Sequence, residues 1–219
     1  MTSQEFVARL VEEMDQLFAR LGETETLESE SQGQVDVMTL LRLALKSEIE
    51  ASELAAFWLP TTPEVDAKMA LALQCGDEMK HYGLISRRLA ELGEDLAGFD
   101  PHADGHSPLH QYLRGLRTTV ERIAAGVFAS EAIATVRNAQ FVKFCQSVGD
   151  AGTARLYSDT IQPEEHHHHL LGREILEKYA TTPELQELTA SAVRNTLAIA
   201  DELSNLAAKT TGVHNIPVS

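Results

Sequence analysis

Two short stretches of this chain carry residue types that can do chemistry together. Asp77-Glu78-Met79-Lys80-His81 places a glutamate three residues before a histidine, and Glu164-Glu165-His166-His167-His168-His169 does so twice. Positions i and i+3 lie on one face of a helix, so both side chains can reach a common point. A carboxylate and an imidazole meeting there form a metal-ligand pair. Carboxylate oxygens bridge and neutralise two cations, and the imidazole adds a nitrogen donor.

Helix faces decide the register. The face through His81 continues as Ile85, Leu89 and Leu92 and runs back through Gln74 and Leu71. This is a mostly apolar stripe holding one acid and one histidine, as a ligand pair in a core requires. In the second stretch both Glu164/His167 and Glu165/His168 fit the spacing. The face through His168 continues as Gly172, Ile175, Leu176 and Tyr179 and runs back to Ile161 and Tyr157, whereas the face through His167 meets Glu174 and Lys178. Only the first is a core face, which selects Glu165 and His168. The remaining histidines read as solvated or as supporting groups.

Two further acids interrupt apolar stripes. Glu48 lies between Leu41, Ala44 and Leu45 on one side and Ala51, Ser52 and Ala55 on the other. Glu131 follows Ala124, Val127 and Phe128 and precedes Ala134, Thr135, Asn138 and Val142. A carboxylate there is costly unless it is paired or metal-bound. Glu50 and Glu53 share a face with Lys46 and read as solvent-facing. The intervals then relate the four acids: 30 residues from Glu48 to Glu78 and 34 from Glu131 to Glu165. Each interval is half a helix up, a tight turn and half a helix down. The chain thus carries an approximate twofold repeat, with Glu and Glu-x-x-His in each half.

The elements that must position these groups are all helical. Thr2 and Glu5 form a capping-box pattern before a helix at about 3–21. The acidic, Ser/Thr/Gln-rich stretch 23–34 reads as a linker. Asp36 is the N-cap expected for a helix at 36–59, ended by Pro60. Thr62-Pro63, Ser107-Pro108 and Thr182-Pro183 each put a cap residue before a proline at the first helical position. They predict helices at 63–92, 108–148 and 183–208, and Asp150 starts another at 150–180. A 30-residue helix is ~45 Å long. The loop 93–107, fully extended, reaches ~50 Å. It can therefore run the length of two antiparallel pairs, the topology of a four-helix bundle with one long crossover. The expected organisation is a single domain: an N-terminal helix and linker at 1–35, a metal-binding bundle at 36–180, and a C-terminal helix and tail at 181–219.

Composition agrees and excludes other classes. The chain is 43% hydrophobic with only 5% aromatic residues, which suits packed helices better than a β-sandwich. A net charge of −15 repels phosphate backbones and anionic lipid heads, so neither nucleic acid nor a membrane surface is expected as a partner. Cys75 and Cys145 form no CxxC pair and read as buried thiols. No secretory leader or membrane-spanning run is visible, so a cytoplasmic location is expected.

The residues Ser47-Glu48, Trp58, Asp77-Glu78-x-x-His81, Glu164-Glu165-x-x-His168 and Gly172 resemble the ferritin-like di-iron carboxylate proteins over about 36–180. Within that superfamily they look most like the branch typified by the phenylacetyl-CoA oxygenase catalytic subunit. The resemblance implies an all-α, ferritin-like bundle over that window, and the N- and C-terminal helices read from the caps lie outside it as extra elements. It also implies two iron ions, with manganese as the other candidate, held by Glu48, Glu78, His81, Glu131, Glu165 and His168. The 34-residue interval is nearer rubrerythrin-like spacing, but the absence of rubredoxin-type CxxC pairs excludes a self-contained rubrerythrin. The acidic surface suits neither tRNA nor the phosphates of coenzyme A.

Three further expectations follow. Asp77 and Glu164 each lie four residues before a ligand histidine and can accept its second N–H, as outer carboxylates do around metal sites. Pro163 removes a helical hydrogen bond and predicts a local distortion within 158–168. Thr135 and Asn138 lie one and two turns beyond Glu131, where they could face a cavity. In function, the sequence is compatible with activation of O2 or peroxide to oxidise a small organic substrate, with a reductase partner supplying electrons. It is also compatible with a ferroxidase, iron-handling or peroxide-removing protein, and with a helical interaction module. The intact ligand set argues against the last. The final helix, with Leu185, Leu188, Val193, Leu197, Leu203 and Leu206, reads as a cap on the bundle or a homodimer contact.

Overall fold

A computed structural model describes residues 1–22 and 36–211, with the backbone alone at 19–22 and 205–211. The expected linker at 23–34 lies outside the described residues. Among those described, every regular element is helical.

Helix α1 (Ser3–Gly22) starts on the expected capping box. Thr2 Oγ1 accepts from Glu5 N–H, and Glu5 Oε2 accepts from Thr2 N–H at 2.9 Å. It buries Phe6, Val7, Leu10 and Met14, a helical stripe. Helix α2 (Val37–Trp58) is capped by Asp36, whose carboxylate accepts from Thr39 N–H at 2.7 Å. A 3₁₀ turn, Leu59–Thr61, ends it at Pro60. Helix α3 is Val65–Glu91. It begins two residues later than expected because the Thr62 hydroxyl is already engaged. That hydroxyl donates to Trp58 O at 3.0 Å and accepts from Arg122 Nη1 at 3.1 Å. Glu64 therefore stands at the cap position without a capping bond, and its carboxylate accepts from the Thr119 hydroxyl instead.

The helix expected at 108–148 is two helices. Ser107 caps the short α4 (Pro108–Arg114), which stops at Gly115. Helix α5 then starts on a second capping box, Thr118 with Glu121. It comprises Thr119–Arg122, a π-helical turn Ile123–Ala129, and Ser130–Ser147. Helix α6 has the same construction: Ala151–Leu156, a π-helical turn Tyr157–Ile161, and Gln162–Tyr179. The second π turn ends two residues before Pro163. There Gln162 N–H reaches back to Tyr157 O instead of closing an α turn, so the expected distortion takes the form of a π turn. Helix α7 is Pro183–Thr211.

Contact pairs fix the directions. Arg42 meets Glu94, Glu48 meets His81, and Ser52 meets Cys75, so α2 and α3 are antiparallel. Phe128 against His169, Glu131 against His168 and Phe141 against Tyr157 make α5 and α6 antiparallel. Asp66 with Tyr179 and His81 with Glu164 do the same for α3 and α6. Helices α3 and α5 therefore run in the same direction, and the chain between them returns along the molecule. It does so as a strap over α2, where Arg42 binds Glu94, Lys46 donates to Gly105 O, Glu50 accepts from Ser107 N–H, and Arg114 stacks over Phe57. Glu50, expected to face solvent, is buried for this reason, while Glu53 one turn on stays exposed.

The apolar residues form two clusters. One gathers Trp58, Leu71, Ile123, Phe128 and Leu176 with parts of α1 and α7. The other gathers Leu41, Leu45, Ile85, Leu89, Phe141 and Tyr157. Close backbone approach holds the first together. A Cβ on Gly172 would lie 3.0 Å from Phe128 N, and one on Gly126 would lie 2.6 Å from the Trp58 ring. Helix α7 packs on the π turn of α5 and buries Ala192, Val193, Thr196 and Ala200, while Leu188 is exposed. The two thiols are free. Cys145 is buried and pushed up to about 12 by that burial, whereas Cys75, expected to be buried, is half-exposed.

Candidate metal centre

On each of α2, α3, α5 and α6 the chain passes from one apolar cluster to the other through a ligand-type residue. Glu48 falls between Leu45 and Leu54, Glu78 between Leu71 and Ile85, Glu131 between Ala129 and Phe141, and Glu165 between Ile161 and Ile175. The result is a layer of four carboxylates and two imidazoles in the interior, none more than 2% exposed.

The six residues group around two points that share members. His81 Nδ1 lies 3.3 Å from Glu48 Oε2, 3.3 Å from Glu78 Oε2 and 3.5 Å from Glu165 Oε1. His168 Nδ1 lies 3.6 Å from Glu78 Oε1 and 3.7 Å from Glu131 Oε1. The two oxygens of Glu78 thus turn to opposite histidines, and Glu165 interacts with both His81 and Glu131. These buried clusters could hold a metal ion. The spacings are long for hydrogen bonds. They are close to the ~3.0–3.4 Å that separates donors bound at about 2.1 Å to one cation.

Unmatched polar atoms point the same way. Both oxygens of Glu78 and of Glu165, one each of Glu48 and Glu131, and Nδ1 of His81 and His168 are sealed from solvent with no hydrogen-bond partner. Each such atom costs on the order of 1–3 kcal/mol, more when charged. A cation at each of the two points would satisfy them together.

The electrostatics show what the layer costs without a cation. Burial, reinforced by Glu78, holds the Glu48 carboxyl well above the usual range. Burial and the facing Glu131 and Glu78 do the same to Glu165, and burial pushes Glu131 up to about 8. Burial works against a charged His81, yet Glu165, Glu48 and Glu78 outweigh it and raise its pKa. Burial also opposes ionisation of Glu78, but His81 and Glu48 hold its carboxyl below the usual range.

The outer nitrogens are paired across the two halves. His81 Nε2 is 2.7 Å from Glu164 Oε2, and His168 Nε2 is 3.1 Å from Asp77 Oδ2. An ionised carboxylate only accepts, so each Nε2 carries a proton, and each Nδ1 is the nitrogen left to face the layer and to bind a cation once deprotonated. Lys80 bridges the outer acids, donating to Asp77 at 2.8 Å and meeting Glu164 at 2.7 Å. Of the other histidines in the run, His166 and His167 are exposed, and His169 binds Phe128 O at 2.8 Å.

Two neighbours on these same helix faces have contacts that the sequence does not signal. Gln74 donates to Glu131 Oε1 and, at 3.2 Å, to Gly126 O, so it ties a ligand-type acid to the π turn. Tyr157, in the other π turn, is buried with an unpaired hydroxyl, and burial with the nearby Glu48 raises its pKa. A cavity of ≈ 210 Å³, walled by Leu54, Trp58, Leu113 and Ile133, opens onto Gln74 and Glu131. Thr135 and Asn138 do not line it. The Thr135 hydroxyl donates to Glu131 O, and Asn138 is packed in the core. Among the described residues, no helix is long and apolar enough to cross a membrane.

Comparison with protein-family models, with curated proteins and with solved structures finds no match.

Proposed function

We propose that this chain is a ferritin-like four-helix-bundle protein that holds two iron ions and activates O2 or peroxide to oxidise a small organic substrate. The observation that carries the reading is Glu78, whose two oxygens face His81 on one side and His168 on the other. Such a carboxylate could serve two cations. Glu48 and His81 would hold one, Glu131 and His168 the other, and Glu165 could reach both. A mixed carboxylate and imidazole set suits iron(II) and, second, manganese. Bound iron would supply the electron transfer to O2 or peroxide, and an external reductase would return electrons.

The remaining contributions come from this chain. Glu164 and Asp77 fix the histidine tautomers. The two apolar clusters exclude water, which strengthens each charge interaction inside. The cavity favours an organic substrate over iron storage, because it brings an apolar space to Glu131. Its size suits a small, largely apolar molecule. The resemblance to the oxygenase-subunit branch supports the same side.

The test is anaerobic iron(II) loading of metal-free protein. We expect two irons per chain, and O2 uptake that rises with an apolar substrate and a chemical or protein reductant. No iron binding under any loading condition would end the reading. Binding with iron oxidation but no substrate effect would move the protein to the ferroxidase class.

A further inference from the structure

A second group of ligand-type residues lies outside the buried layer, where the end of the crossover strap meets α2. Glu50, His102 and His106 bring one donor atom each within 4.8 Å of one another. His106 Nδ1 is 3.6 Å from Glu50 Oε1, and His102 Nε2 is 3.3 Å from Glu53 Oε2. The rings of His102 and His106 meet edge to face at 4.9 Å.

Three observations set this group apart from a solvated cluster. Glu50 is 6% exposed although it stands on α2 beside Lys46, and Ser107 N–H donates to it at 2.8 Å. Its carboxylate is thus positioned from the strap side. Both ring nitrogens of His102 are cut off from solvent and have no hydrogen-bond partner. His110, stacked on His106 at 4.3 Å, is 3% exposed and also has both nitrogens unpartnered. Buried imidazole nitrogens without partners are costly, and apolar packing alone would be better served by a leucine or phenylalanine.

We propose that Glu50, His102 and His106 form a third cation site, for a divalent ion of the zinc class, that staples the crossover strap to α2. Two imidazoles and one carboxylate are a common donor set for that ion. Tetrahedral donors at about 2.1 Å stand ~3.4 Å apart, close to the 3.6 Å between His106 and Glu50. A water would complete the set, and Glu53 stands beside His102 as a further carboxylate. Glu50, Ser107 and His110 also line the cavity, so the staple would fix one wall of its entrance.

The test uses the full chain, stripped of metal and dialysed against micromolar zinc, as wild type, H102A/H106A and H81A/H168A. The H102A/H106A protein should bind one zinc fewer than wild type. The H81A/H168A protein should keep one zinc, and adding H102A/H106A to it should abolish that one. This count does not depend on what the buried centre holds. Zinc should also slow amide exchange over 100–110 in wild type and in H81A/H168A, but not in H102A/H106A. Equal zinc counts in wild type and H102A/H106A, or zinc uptake only at millimolar concentration, would overturn the site.

Discussion

His81 on α3 and Glu164 on α6 meet at 2.7 Å, and His168 meets Asp77 across the same pair of helices at 3.1 Å. Each half of the chain therefore supplies the outer carboxylate for the other half's histidine. Neither half can orient its own imidazole alone. Carboxylates in this position typically change metal affinity by about 10–100-fold. Asp77→Ala and Glu164→Ala should each weaken metal binding within that range, and the double variant should lose more than either single change. Isothermal titration with iron(II) or manganese(II) reads this, and unchanged affinity in both variants would remove the role.

The metal-free layer should make stability fall as pH rises. A group whose folded pKa is raised contributes stability that is complete below its unfolded value and is lost on the way up to the folded value. For Glu131 that window runs from 4.5 to about 8, and its loss is on the order of a few kcal/mol at about 1.36 kcal/mol per unit. Glu48, Glu165 and His81 are also raised and act in the same direction. Glu78, which is lowered, opposes them only in acid. Cations need deprotonated ligands and bind better as pH rises. Thermal melts between about pH 5 and about pH 8 should therefore descend for metal-free protein and flatten or reverse for loaded protein.

The same residues show what can be read from a one-dimensional pattern. The structure brings Glu48, Glu78, His81, Glu131, Glu165 and His168 into one layer, and helix faces pointed to each because a buried acid interrupts an apolar stripe conspicuously. His168 was separable from His167 because the flanking turns differ so strongly, Ile175 against Glu174. Glu50 was misplaced because its burial comes from a strap more than 50 positions away, which no local period records. The α4–α5 break was legible in Gly115 and in the Thr118/Glu121 capping box, but the strong apolar content of 108–148 obscured it. The π turns add a residue without changing residue type. Only Pro163 signalled one of them, and nothing signalled the turn at Ile123–Ala129.

Gly172 should resist substitution. A Cβ there would lie 3.0 Å from Val127 C and from Phe128 N, both backbone atoms of the facing π turn, which cannot swing aside. Gly172→Ala should destabilise the fold by ~1–3 kcal/mol through overpacking. Gly83→Ala is the control. It sits inside α3 with nothing within 4 Å of the added carbon, so it should stabilise by ~0.5–1 kcal/mol. Chemical denaturation of the two variants at one pH reads both signs, and equal destabilisation would refute the steric account.

Filling the cavity separates substrate chemistry from metal chemistry. Ala51 lines it from α2, is half-buried, and is no part of the ligand layer. Ala51→Phe should occupy the space beside Leu54 and displace an apolar substrate from Glu131. Misplacement of a substrate by an ångström can cost roughly a hundredfold in rate, so substrate-stimulated O2 uptake should drop by that order. The metal count per chain should stay at the wild-type value, and iron(II) oxidation without substrate should persist. If instead both activities survive unchanged, the cavity is not where the substrate sits. If metal binding is lost as well, the space is part of the centre's own support and the two roles cannot be assigned to separate regions of the protein.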